Sequence, residues 1–134
     1  SERIRMDPKD LNQAELTFAA LSAINLTRAR RWHKAGGLAE WNIAEWTNAM
    51  CGEAGEAANA AKKLRRLECS MQQSNGDTVV PQTLEEARAR VLKEVGDTVI
   101  YADLVCARLG GSLEQAVRTA FNTISVREGF PERV

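Results

Sequence analysis

Two pairs of acidic residues in this sequence have a spacing that suits metal-ion chemistry. Glu53 and Glu56 form one pair and Glu94 and Asp97 the other, each with two residues between its members. On a helix, this spacing places both carboxylates on adjacent turns of one face, within reach of a shared ion. Carboxylate oxygens suit Mg²⁺ or Mn²⁺, and Mg²⁺ characteristically joins protein carboxylates to substrate phosphates. The pairs predict a magnesium site, with Mn²⁺ as the alternative ion, and a phosphate-bearing substrate.

The acids fall on the helix faces that should be buried. At about 100° per residue, Glu53 shares a stripe with Trp46, and Glu94 shares one with Tyr101. A buried carboxylate is strongly unfavourable unless it is protonated, paired with a base or bound to a metal. The full stripes are Trp46, Met50, Glu53, Ala57 and Leu64 on one helix, and Ala87, Val91, Glu94, Tyr101 and Val105 on the next.

Ordinary helix salt bridges are the alternative explanation for these acids. Glu86, Arg90 and Glu94 are spaced i, i+4, and Glu56 could reach Lys63 two turns further on. A single E-x-x-E on a helix carries little information. Two inward-facing pairs on separate helices favour the metal site.

Aromatic residues supply candidates for a nucleobase pocket. Trp32, Trp41 and Trp46 are many for a chain with only 5% aromatic residues, and aromatic faces can stack a base. Trp46 has the phase of a core residue, so packing is its alternative role. Trp32 and His33 lie beside a Gly-Gly break, where either could line a pocket or simply pack. Because His33 is the only histidine, a di-iron bundle, which needs Glu-x-x-His on two helices, is excluded.

A short basic run follows the first acidic pair. Its residues stand at the carboxyl end of the predicted helix, where cations complement the helix dipole. The same residues could instead clamp a phosphate. The run comprises Lys62, Lys63, Arg65 and Arg66.

The elements that position these residues are four predicted helices and no strand. Long amphipathic helices bury their apolar stripes against one another, which predicts an all-α four-helix bundle in one domain over 1–134. The first helix carries Leu11, Leu16, Ala19, Leu21 and Ile24. N-cap signals stand at Asn42 with Glu45, Thr83 with Glu86, and Ser112 with Gln115. The predicted ranges are 8–31, 43–67, 83–109 and 112–129, with a break at 34–37 and a polar loop or insertion at 69–82.

Composition excludes several classes of protein. The 134 residues suit a single domain, and a net charge of zero without a dense basic block argues against a nucleic-acid polymer as partner. No signal-like segment and no apolar run of about 20 residues is present, so we expect a cytoplasmic protein that does not span a membrane. Cys51, Cys69 and Cys106 are an odd number without C-x-x-C spacing, so we expect packed, reduced thiols.

Two segments resemble the halves of the motif of MazG-like proteins, which belong to the all-α NTP pyrophosphatases. They are 46–63, WTNAMCGEAGEAANAAKK, and 94–104, EVGDTVIYADL. The likeness extends to 31–33 upstream and 121–131 downstream, so it covers most of the chain. The stretch between the two acidic pairs is longer than in compact members of the family. The polar segment 69–82 accounts for that length.

The resemblance implies both the reaction and the residues. In this family an E-x-x-E helix and an E-x-x-D helix bind Mg²⁺, and a nucleoside triphosphate is cut between its α and β phosphates. By position in these motifs, the resemblance assigns metal binding to Glu53, Glu56, Glu94 and Asp97. Tyr101 matches a position that lines the nucleoside pocket in the related deoxycytidine triphosphatases. The candidates carried over for phosphate binding are Lys62, Lys63, Asn122 and Arg127.

The sequence therefore predicts a magnesium-dependent hydrolase that converts a (d)NTP to (d)NMP and pyrophosphate, in nucleotide-pool house-cleaning. Glu53 or Glu56 is the candidate catalytic base, since a carboxylate not saturated by metal could take the proton of the attacking water. Small residues such as Gly52 and Gly55 permit close helix approach, which together with the resemblance predicts a homodimer or homotetramer. The alternative is a non-catalytic helical module for oligomerisation or nucleotide sensing. The substrate-binding candidates are Trp32, His33, Trp46, Lys62, Lys63, Tyr101, Asn122 and Arg127.

Overall fold

The computed structural model describes residues 15–71, 81 and 83–134, and within these it contains four α-helices and no strand. The helices are α1 (Phe18–His33), α2 (Ile43–Glu68), α3 (Leu84–Arg108) and α4 (Leu113–Glu128), with a 3₁₀ segment (Lys34–Glu40) between α1 and α2. The predicted all-α class is confirmed. Most of the predicted loop 69–82 lies outside the described residues.

The predicted helix starts are confirmed at α2, α3 and α4. The side chain of Asn42 accepts from the backbone N–H of Glu45 at 2.9 Å, and the Glu45 carboxylate accepts from the backbone N–H of Asn42 at 2.8 Å. This reciprocal capping box satisfies two backbone donors that a helix start leaves unpaired. Thr83 and Ser112 cap α3 and α4 with one hydrogen bond each, in which the hydroxyl accepts from the backbone N–H three residues further on.

The start of α1 differs from the prediction. Thr17 has an extended backbone, and its hydroxyl accepts from the N–H of Ala20 at 3.0 Å, so the helix begins at Phe18. A threonine hydroxyl satisfies a free N–H of the first turn, which favours a helix start at this point. The predicted residues 8–14 lie outside the described part of the chain.

The buried face of α1 also differs from the prediction. The apolar residues Leu16, Ala19 and Ile24 are exposed, whereas Asn25 and Ala29 are buried. The face that packs against α3 is thus partly polar, and hydrogen bonds across the helix pair offset the free-energy cost of burying its polar groups. At the other end of α1 the predicted break is confirmed, because Lys34 and Gly37 have positive φ angles of 53° and 54°.

Helix α3 is the centre of the fold. It packs most extensively along α2, and it also contacts α1, the 3₁₀ segment and α4. Trp46, Leu104 and Ala29 form the hydrophobic core, against which Leu38 and Tyr101 pack. As predicted, the stripes that contain Glu53 and Glu94 are buried or half-buried, so these two acids lie at the seam between α2 and α3.

The cysteines agree only in part with the prediction. All three are free thiols, as expected, but Cys51 and Cys69 are exposed and not packed. The reason is that both lie outside the seam-facing stripe of α2. No helix in the described ranges is both long and apolar enough to cross a membrane.

Candidate functional site

Three carboxylates meet at the seam between α2 and α3. Glu53 projects from α2, and Glu94 and Asp97 project from successive turns of α3. One oxygen from each of the three lies within 4.8 Å of the others, and all three residues are half-buried. The helix phase brings them together, since each belongs to, or flanks, the stripe with which its helix packs.

The negative charge of this acidic cluster is only partly neutralised by neighbouring positive charge. Burial, followed by the charges of Asp97 and Glu94, raises the pKa of the Glu53 carboxyl above its usual value. Lys93 Nζ lies 2.7 Å from Asp97 Oδ2 and 3.7 Å from Glu94 Oε1, and the hydrogen bond to Asp97 raises the pKa of this lysine. The lysine side chain is 68% exposed, so solvent screens much of its charge.

The three carboxylates of the cluster could together hold a divalent cation. Opposite ligands of one ion lie about 4.2 Å apart around Mg²⁺ and about 5 Å apart around the larger Ca²⁺, so separations within 4.8 Å suit a divalent cation without selecting one. The donors are three carboxylates and include no sulfur or imidazole, so they are the hard oxygen ligands that these ions prefer. Glu56, the fourth predicted ligand, is exposed on α2 beside Glu53 and outside the group of three.

An aromatic pocket of about 450 Å³ opens beside the cluster, and Glu53 and Asp97 form part of its wall. The ring of Trp46 lies 5.0 Å from that of His33, 4.6 Å from that of Trp41 and 6.3 Å from that of Tyr101, measured between centroids. All four rings line the pocket. Its volume falls in the range of small-molecule sites.

The aromatic wall is fixed by polar contacts at its edges. Trp46 is 1% exposed, and its indole N–H donates to the carbonyl of Leu38 at 2.9 Å. Arg108 donates from α3 to the carbonyl of Trp41 at 3.0 Å, which ties the chain before α2 to the central helix. His33 Nδ1 lies 3.2 Å from a carboxylate oxygen of Glu40. These bonds orient the rings before any ligand enters.

A buried polar network lies where α1 meets α3. Asn25 donates from Nδ2 to the carbonyl of Ile100 at 3.0 Å and to Asp103 Oδ2 at 2.9 Å, and Ser22 Oγ donates to Asp103 Oδ1. Asn25 and Ile100 also line the aromatic pocket. This end of the pocket therefore carries a buried polar group beside the apolar side chains of Ala29 and Leu104.

A second, more polar pocket of about 480 Å³ lies on the other side of Glu94. Arg90 and Lys93 line it together with Glu86 and Pro81. The acidic cluster thus separates an aromatic pocket from a pocket that contains two basic side chains.

The structure brings together some of the predicted substrate-binding residues and not others. Trp32, His33, Trp46 and Tyr101 line the aromatic pocket. Lys62 is exposed and Lys63 buried on a later part of α2, about 13–15 Å along the helix from Glu53. On α4, Asn122 bonds the backbone of Val134, and Arg127 pairs with Glu128. Whether these last four reach a nucleotide stays a prediction.

Sequence reasoning missed three polar residues of this region. Arg28 lines the aromatic pocket, and its guanidinium lies 6.0 Å from the ring centroid of the exposed Trp32. Asn25 and Asp103 were not predicted, because the apolar pattern of α1 indicated a different buried face for that helix. The available signal was Asp103 itself, a single acid within the apolar run 99–105.

Comparison of this chain with known protein families, with curated proteins and with solved structures finds no match. The MazG-like character therefore stays a prediction from the two motifs, and the site is interpreted from its own geometry.

Proposed function

We propose that this protein is a Mg²⁺-dependent nucleoside triphosphate pyrophosphohydrolase of the MazG-like, all-α kind, which converts a (d)NTP to (d)NMP and pyrophosphate. One observation carries the proposal: Glu53 and Asp97 belong both to the acidic cluster and to the wall of the aromatic pocket. A ligand with an aromatic base at one end and phosphates at the other would satisfy both parts at once.

The acids of this region would have two roles, cation binding and proton acceptance. Glu53, Glu94 and Asp97 would hold the cation, and a Mg²⁺ ion bound there would neutralise charge on the phosphate oxygens and favour deprotonation of water. Glu56, exposed beside Glu53 and outside the group of three, is left free to accept the proton of the attacking water. Attack would form a bond from the water oxygen to the α-phosphorus and release pyrophosphate.

The two pockets give the substrate a direction. The rings of Trp41, Trp46 and Tyr101 offer faces and edges against which a nucleobase can pack. On the other side of Glu94, Arg90 and Lys93 offer positive charge to the β and γ phosphates. The α-phosphate would then lie between them, beside the carboxylates.

The proposal includes assembly as a homodimer or homotetramer. Leu92, Val95 and Val99 form an apolar stripe on one face of α3, and all three are exposed in the single chain. In the described part of the chain, α2 lies along no helix other than α3. Contiguous exposed apolar surface of this kind is typical of an interface, and a second copy of the chain would cover it.

Light scattering and subunit mixing test the assembly. We expect a dimeric or tetrameric mass at micromolar concentration. If Arg127 reaches the site of a partner, mixing the inactive variants Glu53→Gln and Arg127→Ala restores some activity, because subunit exchange creates intact composite sites. A monomeric mass with full activity would contradict the assembly.

The product pair tests the reaction. A panel of canonical and modified nucleoside triphosphates is incubated with Mg²⁺ in oxygen-18 water, and the products are separated by chromatography. We expect monophosphate and pyrophosphate, with the label on the monophosphate. Label in pyrophosphate would place the attack at the β-phosphorus, and orthophosphate with a diphosphate would contradict the proposed cleavage. Binding without turnover would favour the alternative, a nucleotide-sensing module.

A further inference from the structure

The amide of Asn25 has an orientation that its partners dictate. Its NH₂ group donates to the carbonyl of Ile100 and to Asp103. A backbone carbonyl can only accept, so the nitrogen and not the oxygen of the amide must face Ile100. Asn25 is 4% exposed, and within the described residues its Oδ1 has no hydrogen-bond partner. A buried acceptor without a donor is unfavourable, and the residue lines the aromatic pocket.

The position of this acceptor along α3 relates it to the acidic cluster. Ile100 and Asp103 follow Asp97 by three and six residues, a rise of about 4.5 and 9 Å along the helix. A nucleoside that extends into the aromatic pocket from an α-phosphate at the cluster runs in this direction and over this distance. Its base, and not its phosphates, would therefore lie against Asn25.

We infer that Asn25 Oδ1 accepts a hydrogen bond from the exocyclic amino group of a bound adenine or cytosine, with Asp103 and Ser22 as positioning residues that hold the amide in this orientation. The inference rests on the proposed function, because it takes the aromatic pocket to hold the nucleoside. Stacking on aromatic rings tolerates any base, since every base has a π face. The Asn25 acceptor adds a contact that depends on the substituents of the ring.

Matched pairs of nucleotides test this in the unmodified protein. Affinity is measured by calorimetry with Mg²⁺ and α,β-methylene triphosphates, which separate binding from turnover. One pair is the adenosine analogue and its purine riboside counterpart, which lacks only the 6-amino group. The other is the cytidine analogue and its 2-pyrimidinone counterpart, which lacks the 4-amino group. In at least one pair we expect loss of the amino group to weaken binding about tenfold or more, because Asn25 Oδ1 is then buried unpaired.

Variants assign that discrimination to Asn25. Asn25→Leu keeps the approximate volume and removes the acceptor, so the two members of the discriminating pair should bind within about twofold of each other. Asn48→Leu, the same change at an exposed position of α2, should keep the discrimination. Asp103→Ala should reduce it, whereas Asp103→Asn should preserve it, because the remaining amide oxygen can still accept from Asn25.

The outcomes separate this inference from the proposed function. If the nucleotides bind but neither pair differs by more than about twofold, the inference is wrong and the hydrolase proposal is unaffected. The inference is also wrong if removal of a ribose hydroxyl, and not of the amino group, causes the loss. Discrimination in binding without hydrolysis supports the inference and contradicts the hydrolase. Absence of all nucleotide binding contradicts both. If Asn25→Leu does not fold, the comparison in the unmodified protein decides.

Discussion

Helix α3 carries one acid, Asp103, whose charge is balanced by hydrogen bonds, and two acids, Glu94 and Asp97, that meet a third carboxylate. Asp103 is 2% exposed, and its two oxygens accept hydrogen bonds from Ser22 and Asn25 of α1. About two turns earlier on average, at six and nine residues before Asp103, Asp97 and Glu94 face Glu53 of α2 across the seam. The more deeply buried acid therefore has neutral donors arranged around it. The shallower three repel one another and, among the described residues, contact the exposed Lys93.

This difference separates a structural acid from a site. A buried carboxylate that receives hydrogen bonds on both oxygens is compatible with a stable fold and needs nothing from solution. Three carboxylates within 4.8 Å of one another repel, and the exposed Lys93 neutralises only part of their negative charge. We therefore expect Asp103 and the cluster to respond in opposite ways to mutation, pH and cations.

The largest expected effect is on turnover. Glu53→Gln or Glu94→Gln keeps the side-chain shape and removes one negative charge, which should lower kcat/KM about 100-fold or more, since metal stabilisation of a transition state is worth several kcal/mol. The matched controls are Glu68→Gln on α2 and Glu85→Gln on α3, both exposed and outside the cluster. Steady-state assays with saturating Mg²⁺ measure the effect. Equal losses in the controls, or full activity in EDTA, would remove the distinction between the cluster and ordinary surface acids.

The next effect is on stability and belongs to Asp103. Asp103→Ala leaves Asn25 and Ser22 without their acceptor, so we expect the free energy of unfolding to fall by about 1–3 kcal/mol. Asp103→Asn should cost less than about 1 kcal/mol, because its amide oxygen can still accept from Asn25 and its NH₂ can donate to Ser22. Urea denaturation followed by circular dichroism measures both. A loss as large for the amide as for alanine would show that the charge itself is required.

Removing the charge of Glu53 should change the free energy of unfolding by less than removing Asp103 and in the opposite direction, and the change should depend on pH. The pKa of Glu53 is raised in the folded state from a usual value of 4.5. The folded state therefore holds this proton more tightly than the unfolded state, and the contribution of Glu53 to stability falls as pH rises above about 4.5. Without divalent cations, Glu53→Gln should be more stable than the unmodified protein at pH 7, by less than about 1 kcal/mol because solvent screens the repulsion. At pH 4 the two should be nearly equal.

Thermal melts in EDTA at both pH values check this sign. A destabilised Glu53→Gln at pH 7 would indicate that Glu53 makes a favourable interaction that outweighs its repulsion by Asp97 and Glu94. Saturating Mg²⁺ should reverse the order at pH 7, because the cation stabilises only the protein that retains all three carboxylates.

The smallest expected effect concerns Lys93. Its ammonium contacts Asp97 and Glu94, so it competes with a cation for the same oxygens. Lys93→Gln should therefore tighten Mg²⁺ binding in the absence of nucleotide, by no more than about fivefold for an exposed ion pair. Lys62→Gln, an exposed lysine on α2, is the control. Weaker Mg²⁺ binding by Lys93→Gln would mean that the lysine organises the carboxylates and does not compete for them.

The sequence was sufficient for the features set by local rules. Spacing within one helix predicted the Asn42 capping box and the inward phase of Glu53 and Glu94. Residue type predicted the break between α1 and α2, where Lys34 and Gly37 have positive φ angles. The Asn25–Asp103 contact could not be predicted in this way. It depends on how α1 lies across α3, and periodicity does not specify which faces of two helices meet when one of them is polar.

The acidic cluster was predictable only in part for the same reason. Helix phase identified Glu53, Glu94 and Asp97 as inward-facing, but the register of α2 against α3 determines which acids meet across the seam. That register places Glu56 outside the group of three, although its sequence spacing matches that of Asp97.

Calorimetric titration of Mg²⁺ and Mn²⁺ into the nucleotide-free protein tests most directly the claim that the cluster, and not Asp103, requires an external cation. We expect saturable binding that Glu94→Gln abolishes and Asp103→Asn retains, accompanied by a rise in melting temperature in the unmodified protein and in Asp103→Asn. Absence of binding at millimolar cation, or binding that survives Glu94→Gln, would contradict the account.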